Sequence, residues 1–287
     1  MEWCNKFEYM EEISMQIINL VEDTAGESCC MHEHGLSFYV ETPKHKLLVD
    51  SGATDMFLHN ADVLGVDLTQ IDTFILSHGH YDHAGGLLAF SEKNPNAKIY
   101  LKASAGEEYY HINAQSERYI GIDKNILKLP QVIKVQEDIN IDDELFLFSN
   151  INRKKYPAWS NLELKQKIGN SYIQDEFAHE QCLVITQGER HILMSGCAHN
   201  GILSILDCYF GLFGAYPDVV ISGFHMMKKS DYTREEIDYI RQTAYELLKT
   251  KALFYTGHCT GQKAFDIMKE IMGEQLQIFH SGSRLAL

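Results

Sequence analysis

"ILSHGHYDHAGG", residues 75–86, places His78, His80, Asp82 and His83 within six positions, directly after an apolar run. If the strand residues end near position 78, the turn that follows lets alternate side chains converge while Asp82 and His83 point to a neighbouring spot. Imidazole and carboxylate are the ligands that zinc and similar divalent ions favour. Protonated imidazoles this close would repel one another, so neutral rings on a cation explain the cluster better than a coincidental polar turn. Gly79 lets the backbone turn tightly, and Gly85 with Gly86 lets the following helix begin close to the site.

The same design recurs along the chain. "KLLVDSG" reaches Asp50, "FILSH" reaches His78, "ILMSGCAH" His199, "VVISGFH" His225 and "ALFYTGH" His258. Short apolar runs rich in β-branched and aromatic residues, flanked by Gly, read as strands buried on both faces. "MQIINLV", "SFYVET", "KIYLKA" and "QIFHSG" add further strands. Between them, "TREEIDYIRQTAYELLK" opens with Thr233 and Glu236 in capping-box spacing and puts Ile237, Ile240, Ala244, Leu247 and Leu248 on one stripe. "QKAFDIMKEIMG" repeats the pattern with Phe265, Met268, Met272 and a C-capping Gly273, and "DMFLHNADVLG" and "GLLAFSEKN" are weaker helices. Strands at both ends with interleaved helices predict sheets packed between helical layers.

The 287 residues fit one large α/β domain with an elaboration, and no linker divides them, so residues 1–287 read as a single domain. Residues 104–180 are polar, aromatic and poorly periodic, with Tyr109, Tyr110, Tyr119, Tyr156, Trp159 and Tyr172, and read as an insertion covering the active site. A net charge of −15 with no basic run argues against nucleic acid, whereas a bound divalent ion would reverse the sign locally for a small-molecule substrate. No stretch approaches a membrane span, the acidic N-terminus lacks the features of a signal peptide, and seven scattered cysteines read as free thiols of a reducing cytosol. A cytoplasmic protein of open oligomeric state is the expectation.

The His-x-His-x-Asp-His pattern resembles the signature of the metallo-β-lactamase fold superfamily, and the resemblance runs nearly the whole chain. "LLVDSGA" resembles its preceding aspartate motif, "SGCAHNGI" its third motif and "YTGHCTG" its last histidine motif. Together with "EHGLSFYVE" and "SGFH", these are similar to the metal-dependent hydrolase branch related to dihydropterin ribofuranosylaminobenzene phosphate synthases. The resemblance implies an α/β fold, a four-layer α-β-β-α sandwich with metals at the sheet ends and an inserted cap region. It implies His78, His80 and His199 as ligands of a first metal and Asp82, His83 and His258 of a second. Asp50 would hydrogen-bond a ligand imidazole and fix its tautomer. Where the superfamily commonly has a bridging aspartate, this chain has His225, which either ligates one metal or, the preferred reading, donates a hydrogen bond or acts as general acid. Asp82, His225 and Asp50 are thus the candidate catalytic residues. Zinc is the expected ion, two per chain, with manganese or iron as substitutes.

Cys197 and Cys259 flank presumed ligands; they read as small buried residues, with a thiolate ligand conceivable. Glu33 and His34 line the pocket or sit in a solvated loop, and His179 and Glu180 read as structural hydrogen-bonding residues. His32, His45, His59, His111, His191 and His280 lack ligand context. A metal ion lowers the pKa of coordinated water from about 15.7 toward about 7, and two ions suit phosphoryl oxygens. The leading reading is hydrolysis of a small phosphoester or phosphodiester by a metal-activated water. Alternatives are a thioester, lactone or amide on the same site, or a non-catalytic metal-binding regulatory protein. A di-iron redox enzyme would carry a glutamate where His80 stands, and a flavin domain. Neither a G-x-S-x-G elbow nor a P-loop occurs.

Overall fold

The computed structural model describes residues 15–26, 29–152 and 159–287. The N-terminal stretch read against a signal peptide, with Cys4, and Tyr156 of the aromatic segment lie outside the described residues. Two seven-stranded sheets form the centre. The first runs Arg284–Ala286, Gln16–Val21, Ser37–Glu41, Lys46–Val49, Thr73–Ile75, Lys98–Lys102 and Val132–Val135. The pairing is antiparallel as far as Lys46–Val49 and parallel beyond it. The second runs Leu276–Ile278, Leu253–Thr256, Val219–Ile221, Arg190–Met194, Cys182–Gln187, Leu145–Phe148 and Ile139–Asn140. Here the parallel half comes first.

Alternation along each strand divides the core into layers. Leu47 and Val49 pack with Ile192, Met194, Val219 and Ile221 between the sheets. Leu48 turns the other way, onto Phe57 and Ala61 of the helix Met56–Leu64 and Leu87 and Phe90 of the helix Leu87–Lys93. Leu193 and Val220 turn onto Ile205, Ala244 and Met268 of the helices Ile202–Phe213, Arg234–Thr250 and Gln262–Met272. Strands covered on both faces are apolar at every position, which is why they read as runs rather than alternating patterns. The four-layer α-β-β-α sandwich is therefore present. The reciprocal capping box of Thr233 and Glu236 starts the long helix as the spacing predicts. The helix Ile202–Phe213 was not marked by the sequence, because "ILSILDCYFGLF" is apolar on nearly every side.

Residues 104–180 are not one insertion, which corrects the sequence reading. Val132–Val135 extends the first sheet beside Lys98–Lys102, and Ile139–Asn140 and Leu145–Phe148 build the edge of the second. Val132–Val135 and Ile139–Asn140 are edge strands with one partner each, so their periodicity is faint. The remainder forms a four-stranded sheet, Ser171–Gln174, Leu164–Ile168, Tyr109–Ile112 and Glu117–Tyr119. It encloses its own core of Tyr109, Ile120, Leu164 and Phe177. This cap is tied to the histidine segment by the backbone bridge between His80 and Gly121 and by the Tyr81 N–H donating to the Ile120 carbonyl at 2.9 Å. Among the described residues no helix is long and apolar enough to cross a membrane.

Gly85 shows how tightly the histidine turn is seated. A Cβ there would lie 1.9 Å from the Ala53 carbonyl oxygen, a backbone atom with little freedom to yield. Gly85→Ala is expected to lower unfolding stability by about 3 kcal/mol, measured by urea denaturation, through overpacking rather than lost helix propensity.

Candidate metal centre

The five apolar runs are strands of the parallel halves, and their carboxyl ends meet at one edge of the sandwich. Immediately beyond them the backbone turns through left-handed conformations at Asp50, Ala198, His225 and His258, with φ of 60°, 53°, 48° and 48°. Non-glycine residues held there are strained, and such positions concentrate at functional sites. Asp50, His78, His80, Asp82, His83, His199, His225 and His258 all come together. The rings of His78, His80 and His199 lie 4.7 to 4.8 Å apart pairwise, centroid to centroid. His83 is 4.1 Å from His78 and 5.2 Å from His258, and His225 is 4.2 Å from His199. Asp82 Oδ2 stands 3.4 Å from His258 Nε2 and 3.8 Å from His83 Nε2.

Hydrogen bonds set the tautomers. Asp50 accepts from the Ser77 N–H at 2.7 Å, from Ser77 Oγ at 2.7 Å and from His83 Nδ1 at 2.6 Å. Because Ser77 spends its proton on Asp50, its oxygen accepts from His78 Nδ1 at 2.9 Å. His258 Nδ1 donates to Asp23 at 2.5 Å, and His199 Nδ1 faces Asn161 Oδ1 at 3.3 Å. Each ring that carries its proton on Nδ1 offers the lone pair of Nε2. Nε2 of His78, His80, His199 and His258, and Nδ1 of His225, are buried with no hydrogen-bond partner among the described residues. Buried orphan acceptors on converging rings fit a divalent cation.

The electrostatics agree with that fit. Burial, reinforced by His83, His80 and His199, holds His78 well below the ordinary histidine range. Burial and then His225 do the same to His199, and burial followed by His179 pushes His80 down to about 3. Neutral rings are the form that binds metal. Burial opposes the charge on Asp82, yet His83 and His258 hold it well below the usual carboxylate range. Burial also disfavours a charged His258, but Asp23 and Asp82 outweigh it and carry the ring above its ordinary range. Carboxylates that draw a proton to that position would draw a metal ion as well.

Several supporting residues carry no motif in the sequence. Asp23 accepts from both His258 and His34, and Glu22 Oε1 accepts from the His258 N–H at 2.5 Å. Asn161 donates to the His199 carbonyl at 2.6 Å. His34, left open between pocket and solvated loop, stacks on His258 at 4.8 Å and lines the cavity. Glu33 instead secures the loop after Asp50, accepting from the backbone of Ala53 and Thr54. His179 and Glu180 have the expected structural role. His179 accepts from the Gly79 N–H at 2.9 Å and donates to Asp175 at 3.1 Å, while Glu180 accepts from the N–H groups of His199 and Asn200. Cys197 and Cys259 are buried thiols, yet both line the cavity at the histidines.

The model of a family described as the Metallo-beta-lactamase superfamily matches residues 32–151. Two proteins of Methanocaldococcus jannaschii align along most of the chain. One is uncharacterized and 26% identical over 261 residues, covering 89% of this chain and 94% of its own. The other is a 7,8-dihydropterin-6-methyl-4-(beta-D-ribofuranosyl)-aminobenzene-5'-phosphate synthase, 28% identical over 291 residues, covering 94% and 95%. A solved metal-dependent hydrolase of the beta-lactamase superfamily superposes with a TM-score of 0.80 at 30% identity, covering 95% of this chain and 99% of that one.

Asp50→Asn keeps the size of the side chain but weakens its hold on His83 and Ser77. It is expected to reduce metal affinity by about 10–100-fold, read by equilibrium dialysis with elemental analysis. His78→Ala removes a donor outright, and its metal content after the same dialysis should fall below that of Asp50→Asn.

Proposed function

This chain belongs to the metallo-beta-lactamase superfamily, and on that footing we propose that it is a metal-dependent hydrolase of a small phosphoester or phosphodiester. The observation that carries the substrate class is the charge of the opening. The chain as a whole is at −15, yet the cavity of about 230 Å³ at the histidines has Arg118 in its wall. Arg118 also lines an adjoining cavity of about 910 Å³ with Lys229, with Lys228, which is paired to Glu236 at 2.7 Å, and with Glu163. The Arg118 guanidinium donates to the Tyr81 hydroxyl at 3.3 Å and lies 5.3 Å over that ring. Its guanidinium offers a planar fork suited to phosphate oxygens. The two cavities share His111, Arg118, Leu164, His225 and Met227, so an anionic group at the histidines leaves room for a larger body beside it. The methanogen relative is named for a 5'-phosphate product, which supports a phosphate-bearing ligand.

His78, His80 and His199 would hold one ion and Asp82, His83 and His258 a second, with zinc preferred and manganese or iron able to replace it. Such ions supply an activated water and an electrophilic partner for the phosphoryl oxygen. Asp50 holds the ring of His83 in the tautomer whose lone pair is on Nε2, 3.2 Å from Cys197 Sγ. His225, beside His199 and in the cavity wall, is positioned to hand a proton to the leaving oxygen. The cap residues Ile120 and Leu164 limit water at the reacting end.

The test is a panel of chromogenic phosphomonoester, phosphodiester, thioester and lactone substrates, assayed before chelation, after chelation and after metal is restored. Phosphoester turnover that disappears and returns supports the proposal. Metal-dependent turnover confined to thioester or lactone overturns the substrate class, and bound metal without turnover on any member favours a binding protein. Arg118→Ala is expected to raise KM for the phosphoester about tenfold with kcat little changed, since the guanidinium binds the ground and transition states alike.

A further inference from the structure

Cys197 occupies a place in the cluster that its reading as a small buried residue does not explain. Its sulfur is one of three donor atoms within 4.8 Å of one another in the group His78, Cys197 and His199. The same sulfur belongs to the group His83, Cys197 and His258, and to the group Cys197, His225 and Cys259. It is the one donor common to the three. Its distance to His83 Nε2 is 3.2 Å. Three of the histidines grouped with it, His78, His199 and His258, are at most 3% exposed, and each has a buried Nε2 without a hydrogen-bond partner among the described residues.

The backbone around Cys197 is built for this approach. Gly196 passes so close to the histidine turn that a Cβ would lie 2.2 Å from Ser77 Oγ and 3.0 Å from His78 Nδ1. Ala198 then takes a left-handed conformation, which reverses the chain and lets Cys197 and His199 both reach the cluster. Cys259 is differently engaged. Its sulfur accepts the His225 N–H at 3.3 Å and donates to the Cys197 carbonyl at 3.7 Å, and it enters only the group that contains Cys197 and His225.

We propose that Cys197 is a metal ligand of this site and that its thiolate is shared between the ion held with His78 and His199 and the ion held with His83 and His258. This rests on the metal-centre reading above. A thiolate sulfur has lone pairs for two cations, and soft sulfur added to imidazole favours zinc or iron over magnesium or calcium. On binding, the S–H bond breaks, its proton passes to solvent and the sulfur electron pairs go to the cations; no oxidation is involved.

Titration of the metal-free full chain with cobalt(II) tests the proposal, because thiolate bound to cobalt absorbs in the near ultraviolet where imidazole and carboxylate ligands do not. The band is expected to grow through both equivalents of cobalt, to persist in Cys259→Ser, and to vanish in Cys197→Ser and Cys197→Ala. Cobalt affinity in the two Cys197 variants should fall at least about tenfold. Circular dichroism checks that these variants fold, and the wild-type and Cys259→Ser titrations decide the matter if they do not. A wild-type chain that binds cobalt with no such band overturns the Cys197 assignment and leaves the metal centre standing. A band that saturates at one equivalent overturns the sharing, and one lost in Cys259→Ser overturns the choice of cysteine. A wild-type chain that binds no cobalt overturns the metal centre with it.

Discussion

A polar atom buried without a partner costs about 1–3 kcal/mol, and among the described residues five ring nitrogens of that kind are buried at the end of one pair of sheets. Hydrophobic layers on both faces of each sheet offset that cost. They fix where the strands end, and the strand ends fix where the rings converge. Like-charged imidazoles at this spacing repel, so the cluster is compatible with folding only while most of its rings stay neutral. Burial enforces that at His78, His80 and His199. A site of neutral nitrogens beside acidic residues suits a cation.

The bracing is distributed in a way that suits a site that must not shift. Asp50 serves His83 directly and His78 through Ser77, so one carboxylate at the end of Lys46–Val49 sets two rings of the segment that follows Thr73–Ile75. Glu180 holds the backbone of His199, His179 that of Gly79, and Glu22 that of His258. These partners lie in separate connecting segments, Glu22 after Gln16–Val21, Asp50 after Lys46–Val49, and His179 and Glu180 ahead of Cys182–Gln187. Ligand geometry of this sort depends as much on the outer partners as on the ligands themselves.

What could be read from the chain follows from which signals are local. A strand buried on both faces must be apolar throughout, and a polar side chain at its end must follow a small residue that lets the backbone turn. Asp50, His78, His199, His225 and His258 were therefore visible as five versions of one pattern. Asp23, Glu22 and Asn161 were not, because each meets its histidine only through the tertiary fold, with Glu22 and His258 separated by 236 positions. Cys197 is the buried small residue that its place between glycine and alanine suggests, and its position among ring nitrogens is a tertiary fact that the sequence does not carry. The strands Val132–Val135 and Leu145–Phe148 were hidden inside a polar segment: the first is a half-buried sheet edge, and the second is a buried run of four residues, too short to show a period.

The left-handed residues connect these points. Of six non-glycine residues with positive φ among the described residues, Asp50, Ala198, His225 and His258 stand at strand ends in the site, and Phe177 stacks on His199 at 4.7 Å. Lys251 alone is an ordinary helix cap. A conformation that costs a non-glycine residue free energy persists only where its surroundings over-determine it. Here the surroundings are the interlayer core and the carboxylate network, both complete in protein atoms. The rings are thus held in their arrangement by contacts between protein atoms. Side chains braced in this way lose little conformational freedom to any ligand that engages them, which lowers the cost of binding.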